Sequence, residues 1–280
     1  MGASGNANSI NSTITVTSGT TGYKNYYTYT FTPSVSGVYK FTLNGSGGNV
    51  YYQNEGTWAA GGAGGQTIGY LYLSANSTVY VGCGSYTAMA WVANFNVGNG
   101  KHTTRNGIYF VAGGGGQGGA NWGQQYNMKA GTGGAGGGLV GGTGNWGGTG
   151  RPGSGGSASV SGSSTLAGGG GGYSNADDTS FGAGTGGDGY YCGQGASGSD
   201  GGGGGSGYIY TPSLSYNGVT YTNSTTQGSG AAWNKYGSVY ITLIALGIPT
   251  ITAQPTITSI KAVNHNRDIQ VTRSNATVSN

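Results

Sequence analysis

Charge is scarce in this 280-residue chain: ten basic and six acidic residues make up 6% of it, for a net charge of +4. The bases are scattered from Lys24 to Arg273 with no Lys/Arg run, so no nucleic-acid footprint is expected. Cysteine is limited to Cys83 and Cys192, too few for a disulfide framework; one bridge and two free thiols both remain open. His102 and His265 lie far from each other and from the cysteines in sequence, so no metal site is expected. No apolar run approaches the ~18 residues of a membrane span, so no membrane insertion is expected. The opening residues, MGASGNANSINST, have neither a basic start nor an apolar core, and no secretory leader is expected there.

Chemistry-bearing motifs are missing as well. Gly100-Lys101 is followed by His102, so there is no phosphate-binding Gly-Lys-Ser/Thr, and no GxGxxG-like string opens a helix after a strand. Asp177-Asp178 reads as a polar turn, because adjacent residues point apart. We therefore expect a non-enzymatic protein with no cofactor.

What is abundant is glycine, with 66 copies where ordinary usage is about 7%. Tyrosine follows with 22 copies. A Tyr/Ser/Gly/Asn mixture suits recognition by contact rather than by charge: tyrosine supplies rigid area and the others supply adaptable polar groups.

Along the chain, β-branched and aromatic runs with period-two alternation are separated by Gly, Pro, Asn and Ser. They are Tyr26–Thr32, Val38–Leu43, Ile68–Leu73, Thr78–Gly82, Ala88–Val97 and Gly107–Val111, then Gly207–Thr211, Tyr216–Thr222 and Gly237–Ile244. No segment shows a capped helical period. The expected fold is all-β: a β-sandwich from 23–112 and 208–247, interrupted by a glycine-rich insertion at 113–207, with almost no α-helix. Residues 1–22 read as an N-terminal extension. Residues 248–280, with two short β-like stretches at Thr256–Val263 and Asp268–Arg273, read as an extended segment that packs on another chain or domain.

A Gly/Ser-rich block reads by composition as a flexible linker. An ordered block must meet a stricter condition, because glycine loses the most backbone freedom on folding and offers no side chain to bury. Its N–H and C=O groups must then satisfy one another. Extended helices with three residues per turn meet that condition, since every donor and acceptor points sideways. We expect such polyglycine II helices in Ala112–Gly119, Gly131–Gly144, Gly147–Gly156, Ala167–Gly172, Gly182–Gly189 and Gly193–Gly207. The turns between them carry the large side chains. Trp122, Tyr126, Met128, Tyr173, Phe181, Tyr190 and Tyr191 are the candidate receptor or ligand contacts, and Trp146, in the shortest turn, is the candidate cap.

Tyr29–Gly48 (YTFTPSVSGVYKFTLNGSGG) holds a Phe31-x-Pro33 and Gly37-x-Tyr39 strand pair followed by Gly47-Gly48. Thr78–Gly82 (TVYVG), Ala112–Gly116 (AGGGG) and the closing Gly237–Leu243 (GSVYITL) follow in the same order. These motifs resemble the glycine-rich domain family found in bacterial surface proteins and in the extracellular domain of anaplastic lymphoma kinase receptors. The resemblance covers about residues 26–246. It implies a jelly-roll-like sandwich carrying a bundle of polyglycine helices. The architecture is also similar to fibre-tip adhesins of tailed bacteriophages, whose polyglycine bundles touch the receptor with their end loops.

The functional expectation is a virion or surface adhesion protein, foremost a phage tail-associated receptor-binding component. Its expected partner is a host-surface glycan or protein, with sister subunits joined through 1–22 and 248–280 into a homo-oligomer. A subunit of a cell-surface or matrix filament is the other expectation. Localisation would be the virion tail or the extracellular surface.

Overall fold

The computed structural model describes residues 2–17, 27–49, 57–84, 88–92, 107–121, 130–147, 151–157, 181–247, 250–251, 257–262, 269–273 and 278–279. Among them there is no helix; the regular elements are strands, all paired antiparallel. One sheet has six strands in the order β1 (Gly2–Gly5), β2 (Thr13–Thr17), β16 (Ser238–Leu246), β4 (Gly37–Asn44), β6 (Gln66–Leu73) and β15 (Ser224–Thr226). A second has five: β12 (Tyr208–Ile209), β9 (Ile108–Ala112), β8 (Ala88–Trp91), β7 (Val79–Cys83) and β3 (Tyr27–Phe31). A small sheet joins β5 (Thr57–Trp58), β10 (Ala120–Asn121) and β11 (Phe181–Gly182), and β13 (Ser213–Tyr216) pairs with β14 (Val219–Thr222).

The alternation in sequence decides which residues meet between the two large sheets. Tyr39, Phe41 and Leu43 of β4, Val239, Ile241 and Leu243 of β16, and Val79 and Val81 of β7 share one buried core with Phe31 and Phe110. Phe41 lies 6.4 Å from Phe31 and 6.0 Å from Phe110, ring centre to ring centre. Gly69 of β6 leaves room for the Phe110 ring: a Cβ there would collide with it.

Residues 2–17 depart from the expected extension. The Thr-Ile-Thr-Val-Thr alternation of β2 buries Ile14 and Val16 in this core and pairs with β16. The C-terminal segment is stranded in its described residues. Its strands pair with each other, β17 (Thr250–Ile251) with β20 (Val278–Ser279) and β18 (Ile257–Ala262) with β19 (Ile269–Arg273). Cys83 and Cys192 are both buried, and no disulfide joins them.

Burial also acts on tyrosine. Tyr39 donates its hydroxyl to the Val35 carbonyl at 2.7 Å, and desolvation pushes its pKa from 10.0 up to about 12. Below pH 10 the phenol is neutral in both folded and unfolded chains. From about pH 10 to about 12 the unfolded phenol ionises while the folded one does not, so stability falls as pH rises through that window. Burial moves Tyr70 and Tyr109 in the same direction, helped by the neighbouring Tyr221 and Tyr210. Denaturant unfolding across this window should show the decline, with a shallower slope in Tyr39→Phe. An unchanged slope would assign the decline to the other tyrosines.

The glycine segments leave the two sheets at one end. Segment 45–49 follows β4, 59–65 precedes β6, 113–119 follows β9 and 201–207 precedes β12. Segments from outside 113–207 thus join the block: Gly48 donates to Gly62, Gly62 to Gly116, and Gly116 to Gly134. None of these segments is strand or helix over its length. Segment 201–206 lies at the centre. Gly201 and Gly204 donate to Asn145 and Gly142, Gly202 and Gly205 to Gln117 and Gly114, and Gly203 and Ser206 to Gln194 and Tyr191. Its carbonyls accept from three other segments in the same rhythm: Gly153 and Gly156, Gly134 and Gly137, Gly187 and Tyr190. Donor direction therefore repeats every three residues, and six neighbours surround the centre. A Cβ at any of Gly201–Gly205 would fall on a neighbour's backbone carbonyl, which is why this stretch is unbroken glycine. Segment 131–137 (GTGGAGG) has free space at one residue in three, where Thr132 and Ala135 stand.

Candidate functional site

The bundle has two ends. At the sheet end the chain reverses at residues 138–140 and 189–191. At the far end it reverses at 197–200, and β5, β10 and β11 pair there. Two expected glycine runs are each broken by such a reversal. Gly131–Gly144 turns at Leu139-Val140, with Gly137 and Gly138 at φ 87° and 67°, and Gly193–Gly207 turns around Gly198 at φ 63°.

Of the expected contact residues, the described ones, Phe181, Tyr190 and Tyr191, do not gather in one place. Trp122, Tyr126, Met128 and Tyr173 lie outside the described residues, as do Asp177-Asp178, His102 and His265. Phe181 is described in its backbone alone, which pairs with Asn121 at the far end. Tyr190 and Tyr191 sit at the sheet end and are half-buried. Tyr190 stacks on Tyr208 at 4.0 Å and 7°, and packs against the cluster of Trp91, Ile108 and Val111 on the outer side of the five-stranded sheet. Tyr191 meets Tyr190 edge-on at 5.1 Å. These two tyrosines join bundle to sheet. Trp146, expected as a cap, is instead 68% exposed at the far end. Its backbone is held on both sides: the Asn145 N–H donates to Thr132, and the Gly147 N–H to the Asp200 carboxylate.

Sequence reasoning missed a second aromatic feature. Trp58 is 43% exposed and Trp233 39% exposed, and their ring centres are 6.0 Å apart at 44°. Trp58 is placed by β5, whose register pairs it with Ala120, and by the next amide, Ala59, which donates to Gly119 at 3.1 Å. Trp233 rides on a turn in which Lys235 donates to Ala232 and Asn234 donates to Gly48 at 2.9 Å. Asn234 adopts φ 56°, a left-handed conformation that asparagine tolerates. Gly47 lies directly beneath: a Cβ there would collide with Ala232 and with the Trp233 backbone. The available signal was local. Both tryptophans adjoin short Ala/Gly stretches, Trp58-Ala-Ala-Gly-Gly and Gly-Ala-Ala-Trp233, outside the main glycine block.

Three of the five tryptophans thus stand exposed on the bundle, while Trp91 is buried against the sheet. The described charges near them are sparse. Arg151 and Lys235 are exposed, whereas Asp188 and Asp200 are buried in the bundle. Among the described residues no group of three His, Cys, Asp or Glu could hold a metal ion, and no helix is long and apolar enough to cross a membrane. The arrangement can offer aromatic faces at fixed positions, with cationic and neutral hydrogen-bonding groups beside them. No family model, curated protein or solved structure matches the chain.

Proposed function

We propose that this chain is a non-enzymatic adhesion protein of a virion or cell surface, foremost a phage tail-associated receptor-binding component. In this reading its two large sheets form a jelly-roll-like sandwich, and its glycine segments are polyglycine II helices. The shared core between the sheets supports the first point, and the three-residue recurrence of donors supports the second.

The observation that carries the functional reading is the exposure of Trp58, Trp146 and Trp233 on a backbone-bonded scaffold. Exposed tryptophan is costly in water and is enriched where partners dock. A rigid scaffold lowers the ordering entropy that binding must overcome. The filament alternative would add strands of neighbouring chains at open edges, which β1 and the two-stranded pairs β17–β20 and β18–β19 offer; the exposed tryptophans favour adhesion.

The test is co-sedimentation of the purified full chain with intact bacterial cells. Trp58→Ala combined with Trp233→Ala should lower apparent affinity by about tenfold or more, with thermal stability changed by less than about 1 kcal/mol, as befits half-exposed side chains. Trp122→Ala with Tyr126→Ala serves as the companion variant. Wild-type binding that both variants retain in full would remove the aromatic surfaces from the reading.

A further inference from the structure

Resting on that reading, we infer that the Trp58–Trp233 pair and Lys235 form a binding site for an anionic glycan, a saccharide chain bearing carboxylate or phosphate groups. The two indole rings tilt at 44° across 6.0 Å, so together they make one shallow angled platform rather than two separate contacts. Aromatic π-faces carry partial negative charge and attract the polarised C–H bonds on one face of a pyranose ring. A flat aliphatic protein patch lacks that polarity and gains less from them. The platform is also fixed from below. Gly47 packs against the Trp233 backbone, Gly48 accepts the Asn234 amide, and β5 holds Trp58, so neither backbone has to be ordered when ligand arrives.

Charge selects among saccharides. Lys235 lies two residues after Trp233 and is exposed. Among the described residues the two carboxylates, Asp188 and Asp200, are buried, and Glu55, three residues before Trp58, lies outside the described residues. The chain as a whole carries +4. A lone exposed lysine gives modest attraction that salt screens, while the rings supply the salt-insensitive part. The site should therefore bind with weak salt dependence, unlike a polycationic patch.

The experiment measures retention of the full chain on three immobilised polysaccharides: a polyuronate (alginate), a poly(glycerol phosphate) teichoic polymer, and neutral dextran. Retention on at least one anionic support, with a change in tryptophan emission, is the expected result, and the two anionic supports separate carboxylate from phosphate recognition. Trp58→Ala with Trp233→Ala should weaken retention about tenfold or more. Lys235→Gln should weaken it about threefold and flatten its salt dependence. Retention on dextran equal to that on the anionic supports would overturn the inference. So would anionic retention untouched by the tryptophan replacements, or no retention on either anionic support. Cell binding distinguishes this failure from failure of the adhesion reading. Binding through the tryptophans that survives periodate treatment of the cells but not protease treatment indicates a protein receptor; adhesion then stands and the glycan site falls.

Discussion

Gly203→Ala is expected to dismantle the centre of the bundle. The added Cβ would overlap the Ser154 carbonyl oxygen and crowd that of Gly153, both backbone atoms that cannot swing aside. Relief requires the 151–156 segment to move, which breaks the bonds from Gly153 and Gly156 to Gly201 and Gly204. Each broken bond between buried backbone groups costs about 1–3 kcal/mol, so a loss on the order of 4 kcal/mol or more is expected. Thr143→Ala is the control. Thr143 is exposed on the neighbouring 141–147 segment, and its replacement should change stability by less than about 0.5 kcal/mol. Amide hydrogen exchange reads the difference directly: Gly201–Gly205 should be strongly protected in wild type and in Thr143→Ala, and should exchange fast in Gly203→Ala. Retained protection in Gly203→Ala would mean that segment 201–206 is not packed closely against 151–156.

Phe110→Ala is expected to cost about 3–5 kcal/mol, since the ring is fully buried between the sheets. Gly69→Ala should cost about 1–3 kcal/mol for the opposite reason, because its Cβ meets that same ring. The informative measurement is the double variant. With the ring gone, the alanine at 69 has space, so the combined loss should fall short of the sum by about 1 kcal/mol or more. Denaturant unfolding of the four proteins gives the coupling. Strict additivity would mean that Gly69 and Phe110 do not face one another across the core.

The strands were readable because period-two alternation survives in a glycine-rich chain. Tyr39, Phe41 and Leu43, and Val239, Ile241 and Leu243, announce a buried face whatever the rest of the sequence does. Residues 13–17 obey the same rule with two apolar side chains, Ile14 and Val16, too short a run to outweigh the polar stretch around it. The reversals at Leu139-Val140 and around Gly198 were hidden for a different reason. A turn made of glycine has the composition of the straight segment it interrupts, and the left-handed φ that marks it leaves no trace in sequence. Trp58 and Trp233 were hidden by distance, since each belongs to a different excursion from the sheets and the pairing exists when 45–49, 59–65 and 228–237 pack side by side. Tyr190 had the sequence context of an exposed turn, and its stacking on Tyr208 depends on where the chain re-enters the five-stranded sheet.

Segment 201–206 is surrounded on all sides, yet it hides almost no hydrocarbon side chain; what it removes from water is peptide group. Exposing apolar surface raises the heat capacity of an unfolding chain, by about 0.45 cal/K/mol per Å², whereas exposing polar surface lowers it by about 0.26. The two halves of the molecule should therefore answer temperature differently. The aromatic core between the sheets loosens on cooling as its solvent-driven attraction fades. The bundle, with a heat-capacity change near zero, should have a stability that varies almost linearly with temperature, without the downturn on cooling. Cold should leave the glycine scaffold, and the tryptophans it holds, in place while weakening the sheets beneath.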